Sequence, residues 1–204
     1  MIRNIIFDVG KVLVSYEPEQ MMKNLGYTDE QIQVVKSAMF DNPLWDESDR
    51  GIRTMEEYHE GFLKNNLEQK DIIQKAYEHI GDAIELFPYA IEWILKMKKR
   101  GYRVYILSNY SEYTFEVTKK KLVFLQLMDG IIFSYEARVG KPDAGIYKKL
   151  INEYSLEEKE SVFIDDRREN IEAAEKLGIK GIHFLNYEQA RDELELYLKA
   201  NNGM

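Results

Sequence analysis

Five short apolar runs, separated by longer amphipathic stretches, constrain the fold of this chain more than any other feature. They cover residues 2–7, 102–107, 130–133, 161–164 and 181–185. β-Branched and aromatic residues fill them almost without interruption, as strands buried on both faces of a parallel sheet require. The segments between them carry helical spacing and helix punctuation. Pro88 precedes Ile91, Ile94, Leu95 and Met97, and that run stops at Gly101. Residues 143–154 follow Pro142, Ser155 and Glu158 have the spacing of a capping box, and residues 171–177 end at Gly178. Strands alternating with helices predict βαβ units and an α/β fold, a doubly wound Rossmann-like parallel sheet.

One stretch departs from the alternation. From Tyr16 to Asp82 there are helix signals but no strand pattern, and capping boxes at Thr28/Gln31 and Thr54/Glu57 each open a helical run. That block is too long for a crossover. It predicts a helical cap domain, residues 16–83, inserted after the first strand into a core formed by residues 1–15 and 84–204. The run Lys119-Lys120-Lys121 reads as a solvated helix face.

Composition removes several classes of function. Of 204 residues, 28 are Lys or Arg and 36 are Asp or Glu, a net charge of −8 that disfavours nucleic acid and anionic lipid as partners. With no cysteine there is no disulfide, zinc–thiolate site, iron–sulfur cluster or cysteine nucleophile. No apolar run approaches the roughly 18 residues of a membrane span, and Asp8 arrives too early for a signal peptide. A cytoplasmic location is expected.

In an open α/β sheet, ligands bind beyond the carboxyl ends of the strands. The first strand ends at Asp8 and the second at Ser108-Asn109; the third leads to Lys141-Pro142, and the fourth ends at Asp165-Asp166. Singly, each has an ordinary role as a helix cap, turn residue or solvated charge. Jointly, at four strand ends, they point to one shared anion and metal site. Three carboxylates repel one another, and hard oxygen donors select Mg²⁺. A lysine and a strand-end hydroxyl suit phosphoryl oxygens. These are parts for phosphoryl transfer through an aspartyl phosphate. A signalling receiver domain uses similar parts, but it places the acidic pair first and the phosphoacceptor later.

The segments IIFDVGKVLV, VYILSN, VGKPDAGIYKKL and VFIDDRRENIEAAEKLGI, with WDESDRGIRTMEEY in the helical block, resemble the haloacid dehalogenase superfamily, subclass I with a helical cap. The likeness spans the whole chain. It is strongest to the branch of glucose-1-phosphate phosphatases and the phosphatase domain of soluble epoxide hydrolases, whose last motif also carries a doubled Asp. It implies a Mg²⁺-dependent phosphatase for a small phosphorylated metabolite such as a sugar phosphate. Asp8 would be the nucleophile and a metal ligand, with the Gly10 carbonyl, Asp166 and Asp165 completing the metal site. Ser108 and Asn109 would bind the phosphoryl group, and Lys141 would neutralise it. Asn170 aligns with a frequent supporting carboxylate.

The usual first motif of the superfamily has a second aspartate two residues after the nucleophile, as general acid and base. Here Gly10 stands there, as in the glucose-1-phosphate phosphatase branch, and Lys11 replaces a small or amide residue. The general acid/base is therefore unassigned. A catalytically weak protein that binds a phospho-ligand or partner is the alternative. Dehalogenation is disfavoured, because it needs neither Mg²⁺ nor the acidic pair. Trp45, Arg50 and Arg53 are candidate roof residues, and Tyr110 and Tyr113 candidates to flank a sugar. His59, His79 and His183 show no ligand spacing and read as surface or packing residues.

Overall fold

The computed structural model describes residues 1–199. β1 (Asn4–Phe7), β2 (Arg103–Ser108), β3 (Gly130–Phe133), β4 (Ser161–Asp165) and β5 (Lys180–His183) form one parallel sheet in the order β3-β2-β1-β4-β5. The chain winds outward from β1 in both directions, so the topological switch point lies at β1. Register brings the functional ends level. Phe7 pairs with Ile106 on one side and Ile164 on the other, so Asp8, Leu107-Ser108 and Asp165 emerge together at the carboxyl edge.

Period-two alternation explains why the strands read as continuously apolar. Ile5, Phe7, Val104, Ile106, Val162 and Ile164 face one core, with Trp93, Ile94 and Met97 of the helix Ala90–Lys99 and Leu194 and Leu198 of Tyr187–Lys199. Ile6, Tyr105, Leu107 and Phe163 face the other, with Ile146, Tyr147 and Leu150 of Ala144–Glu153 and Ile171 and Ala174 of Arg168–Lys176. Both faces are covered, so the strands are apolar apart from polar residues at their ends, such as Asn4 and Ser161, which are buried and hydrogen-bonded to each other at 3.0 Å. The expected doubly wound sheet is present.

Local differences have local causes. β5 stops at His183, because the chain turns there and leaves Leu185 68% exposed. The capping box expected at Ser155 does not form. Ser155 sits at φ +50°, whereas an N-cap needs extended backbone, and the chain makes a short 3₁₀ turn at Glu158–Glu160 instead.

Between β1 and β2 the helices Pro18–Asn24, Asp29–Val35, Pro43–Ser48, Met55–Lys64 and Lys70–Glu78 pack around a core of their own, centred on Met22, Val35, Met39, Phe62, Ile73 and Ile80. Both capping boxes in this region close reciprocally, Thr28 with Gln31 and Thr54 with Glu57. The two connecting strands run side by side. The Ser15 N–H donates to Glu85 O at 2.7 Å, the Glu17 N–H to Ala83 O at 2.9 Å, and the Phe87 N–H to Leu13 O at 3.0 Å. Lys121 locks this junction. Its ammonium donates to the Gly81 and Ile84 carbonyls, each at 3.0 Å, and to the Glu85 carboxylate at 2.8 Å. It is therefore a tie between connector and core rather than the solvated charge its sequence context implied. Carbonyls at the end of a 3₁₀ turn are natural acceptors for an ammonium. No helix among the described residues is long and apolar enough to cross a membrane.

Candidate active site

The turn after β1 is wound tightly around one carbonyl. Val9 O accepts from the N–H groups of Val12, Leu13 and Val14 at 3.3, 2.9 and 3.1 Å, and Lys11 adopts φ +58° within the turn. This places Asp8 at the floor of the carboxyl-end crevice. Its Oδ1 accepts three donors: the Ser108 hydroxyl at 2.6 Å, the Val9 N–H at 2.7 Å and the Lys141 ammonium at 2.8 Å. The carboxylate is thus held by one oxygen, and the other, Oδ2, takes none of these donors.

Lys141 bridges two acids, with its second contact to Asp165 Oδ2 at 2.6 Å, and its side chain is 1% exposed. Asn109 sets its position. The Asn109 Oδ1 accepts the Lys141 N–H at 2.7 Å, and its Nδ2 donates to the Lys141 carbonyl at 3.0 Å. The Asn109 side-chain amide is therefore committed to the lysine backbone, and Asn109 also lines the cavity.

Oxygens of Asp8, Asp165 and Asp166 lie within 4.8 Å of one another. Asn170 donates to both Asp165 oxygens at 3.0 Å, and the Arg167 N–H reaches Asp165 Oδ1 at 2.8 Å. His183, expected only to pack, holds the Asp166 backbone: its Nε2 lies 2.9 Å from the Asp166 carbonyl, which can only accept. Three carboxylates crowd around the single ammonium that bridges two of them, with Lys11 and Arg167 further out along the cavity wall. The Asn170 Oδ1 is buried with no partner. All these donors are hard oxygens, so the cluster fits a hard divalent cation, with Asp8, Asp165 and Asp166 as the residues able to hold it.

The electrostatics follow from burial. Asp8 is pushed up to about 6, chiefly by desolvation and further by Asp165, against the opposing pull of Lys141 and Ser108. Burial also raises Asp166, with Asp165 adding to it. For Lys141 burial disfavours the charge, but Asp165 and Asp8 together outweigh it and raise the pKa.

Over this floor the helical region closes a cavity of about 420 Å³. Asp8, Gly10, Lys141 and Asp166 lie on the core side, and Phe40, Trp45, Asp46 and Asp49 on the helical side. Trp45 packs edge-on against Phe40 at 4.8 Å and also lines the cavity, so it is both anchor and wall. Arg53 pairs with Glu47 at 2.6 Å and, like Arg50, does not line this cavity. Tyr110 reaches it but spends its hydroxyl on Thr118 at 2.9 Å. Tyr113 is stacked on Tyr77, with centroids 3.9 Å apart, away from it. His59 stacks on the same Tyr77 ring, at 4.5 Å, and His79 pairs with Asp82 at 2.9 Å.

Tyr16 and Asp49 are two of the lining residues that carried no sequence expectation. The Tyr16 hydroxyl is buried without a partner. Asp49 caps the C-terminus of Pro43–Ser48, where the helix dipole disfavours an acid. That misplacement is the signal that could have singled it out.

Residues 2–178 match the family model of haloacid dehalogenase-like hydrolases. The chain is a haloacid dehalogenase-like hydrolase. This hydrolase is 24% identical over 98% of its length to a D-ribitol-5-phosphate phosphatase of Bacteroides thetaiotaomicron, covering 100% of that protein. It is 25% identical over 87% of its length to a sesquiterpene phosphatase of Aspergillus oryzae, again covering 87% of the relative. A drimenol cyclase of Aspergillus calidoustus is 25% identical over 95% of the chain, which spans only 36% of that longer protein. Among solved structures, a haloacid dehalogenase family enzyme of B. thetaiotaomicron in complex with magnesium and inorganic phosphate superposes with a TM-score of 0.69. The match covers 89% of the hydrolase and 93% of the neighbour at 23% identity, which establishes a shared fold.

Proposed function

We propose that this hydrolase is a Mg²⁺-dependent phosphatase acting on a small phosphorylated metabolite through an aspartyl phosphate on Asp8. The observation that carries the reading is the one-sided anchoring of Asp8. Three donors hold Oδ1, and Oδ2, which takes none of them, is the oxygen available as nucleophile. Oδ2 attacks phosphorus as the bond to the substrate oxygen breaks, and water then releases phosphate and restores Asp8. Lys141 neutralises the transferring phosphoryl group, and the Ser108 hydroxyl, turning its single proton from Asp8 Oδ1 to the substrate, binds its oxygens with the Asn109 backbone N–H. Mg²⁺ would be held by Asp8, Asp165, Asp166 and the Gly10 carbonyl, and would supply neutralisation of negative charge there. Asn170 and His183 hold Asp165 and Asp166 in place.

Residues 16–83 act as the cap that selects the organic part of the substrate. A cavity of about 420 Å³ with one apolar wall, formed by Phe40 and Trp45, admits a molecule the size of a sugar phosphate. The named activities of the ribitol-phosphate and sesquiterpene phosphatases support phosphate monoesters as the class, and the polar floor and rim favour a sugar or polyol phosphate. A phosphate-release screen over phosphometabolites, with and without Mg²⁺, tests this. The expected result is Mg²⁺-dependent release that Asp8→Asn abolishes. Release that survives Asp8→Asn, or that ignores Mg²⁺, contradicts it.

A further inference from the structure

The turn after Asp8 has an opening. A Cβ built on Gly10 meets nothing within 4 Å, so the core leaves empty the space where a carboxylate beside the nucleophile would stand. A phosphatase still needs a proton for the leaving oxygen and a base for the attacking water. Among the carboxylates of the described residues that line the cavity, Asp8 and Asp166 belong to the nucleophile and metal cluster, Glu19 pairs with Lys36 at 2.5 Å, and Asp41 and Asp46 lie exposed. Asp49 remains.

Its placement is built. The Asp49 carbonyl accepts the Ser134 hydroxyl from the short helix Ser134–Ala137 after β3, so the cap backbone is tied to the core at this residue. Two residues on, Gly51 takes φ +58° against Tyr135, where a Cβ would come within 2.7 Å of the Tyr135 carbonyl oxygen. That approach lets the cap loop settle directly on the core. Among the described residues no donor bonds the Asp49 carboxylate, which leaves it available to a ligand. The Tyr16 hydroxyl, buried and without a partner, lines the same space.

Resting on the phosphatase reading above, we infer that Asp49, supplied by the cap, is the general acid and base of this reaction. In the first step Asp8 Oδ2 bonds to phosphorus, the phosphorus–oxygen bond to the substrate breaks, and the Asp49 carboxyl gives its proton to the departing oxygen. In the second, water attacks phosphorus, its proton passes to the Asp49 carboxylate, and Asp8 leaves as a carboxylate. Phosphate departs with Asp49 protonated again. The environment suits this cycle. Burial is the main cause that pushes Asp49 up to about 7; Asp46 on its own helix and Asp8 add to it, while Lys141 and Arg167 oppose it. The neutral phenols of Tyr16 and Tyr110 face it from the connector and the core.

Leaving groups of different acidity provide the test. With 4-nitrophenyl phosphate the first step needs no proton, so Asp49→Asn should give a stoichiometric burst of nitrophenolate followed by a steady phase slowed roughly 10²–10⁴-fold. With a primary alkyl phosphate the same variant should show no burst and a similar overall loss. Adding Gly10→Asp to Asp49→Asn should recover part of the alkyl activity, because that position is open. An Asp49→Asn enzyme within a few-fold of wild type on alkyl phosphates, with Asp8→Asn inactive, overturns the role of Asp49 and leaves the phosphatase reading standing. Equal losses on both substrates with no burst also overturn it, since a merely structural role would slow both alike. A wild-type enzyme that releases phosphate from no substrate overturns both readings.

Discussion

Asn109 clasps the backbone of Lys141 through both ends of its side-chain amide, at 2.7 and 3.0 Å, and so fixes the ammonium that bridges Asp8 and Asp165. The charge at the centre of the site is therefore positioned from a different strand end, across 32 residues of sequence. Asn109→Ala should lower kcat while leaving the ammonium present. Lys141→Ala removes it and should cost roughly 10²–10³ in kcat/KM. Steady-state kinetics should rank Lys141→Ala well below Asn109→Ala. Equal activities would mean that the clasp, and not the charge, is what matters.

Asn170 is the corresponding support on the metal side, with both Asp165 oxygens on its amide. Asn170→Ala should raise the Mg²⁺ concentration for half-maximal activity by roughly 10–100-fold, the usual range for residues that hold a metal ligand. A Mg²⁺ titration of phosphate release reads this directly. An unchanged midpoint would show that Asp165 holds its orientation unaided.

Asp49 should give up stability for its role. Its carboxyl is raised from 3.8 to about 7, so the folded protein binds the proton more tightly than the unfolded chain does. Ionising Asp49 thus costs folding free energy, a cost absent below about pH 4 that grows as pH rises and is complete above about 7. Asp49→Asn removes that cost. The difference in Tm between variant and wild type should favour the variant, and be larger at pH 8 than at pH 5. A constant difference across that range contradicts the shift. A variant both more stable and less active fits a functional group kept at the expense of stability.

How much of this was legible beforehand follows from the physics of each part. Both-face burial makes parallel strands read as apolar runs, so Ile5, Ile106 and Ile164 marked the sheet, and the residues after each strand marked the rim where Asp8, Ser108, Lys141 and Asp165 meet. What stayed hidden depends on long-range approach. Nothing near Lys121 in sequence shows that its partners are Gly81, Ile84 and Glu85. Asn109 reads as a phosphate donor until Lys141 arrives beside it. Asp49 lies in a helical segment whose orientation over the sheet is set by tertiary contacts at Ser134 and Tyr135, not by local pattern.

Gly51 offers a check on how the cap is seated. Its φ of +58° and the 2.7 Å approach to the Tyr135 carbonyl leave no room for a side chain. Gly51→Ala should destabilise by roughly 1–2 kcal/mol from backbone conformation alone, with more from the clash. Activity should fall as well, because Asp49 moves with this loop. Chemical denaturation and phosphate release together test it, and unchanged values in both would show that the loop can reseat without cost.

The central claim is that the phosphoryl group passes through Asp8. Rapid acid quenching during turnover of 4-nitrophenyl phosphate, whose leaving group needs no proton, followed by peptide mass spectrometry, measures it most directly. The account predicts a phosphoryl group on the peptide containing Asp8, accumulating further in Asp49→Asn and lacking in Asp8→Asn. Steady phosphate release under conditions where Asp49→Asn never carries a phosphoryl group on that peptide would contradict it.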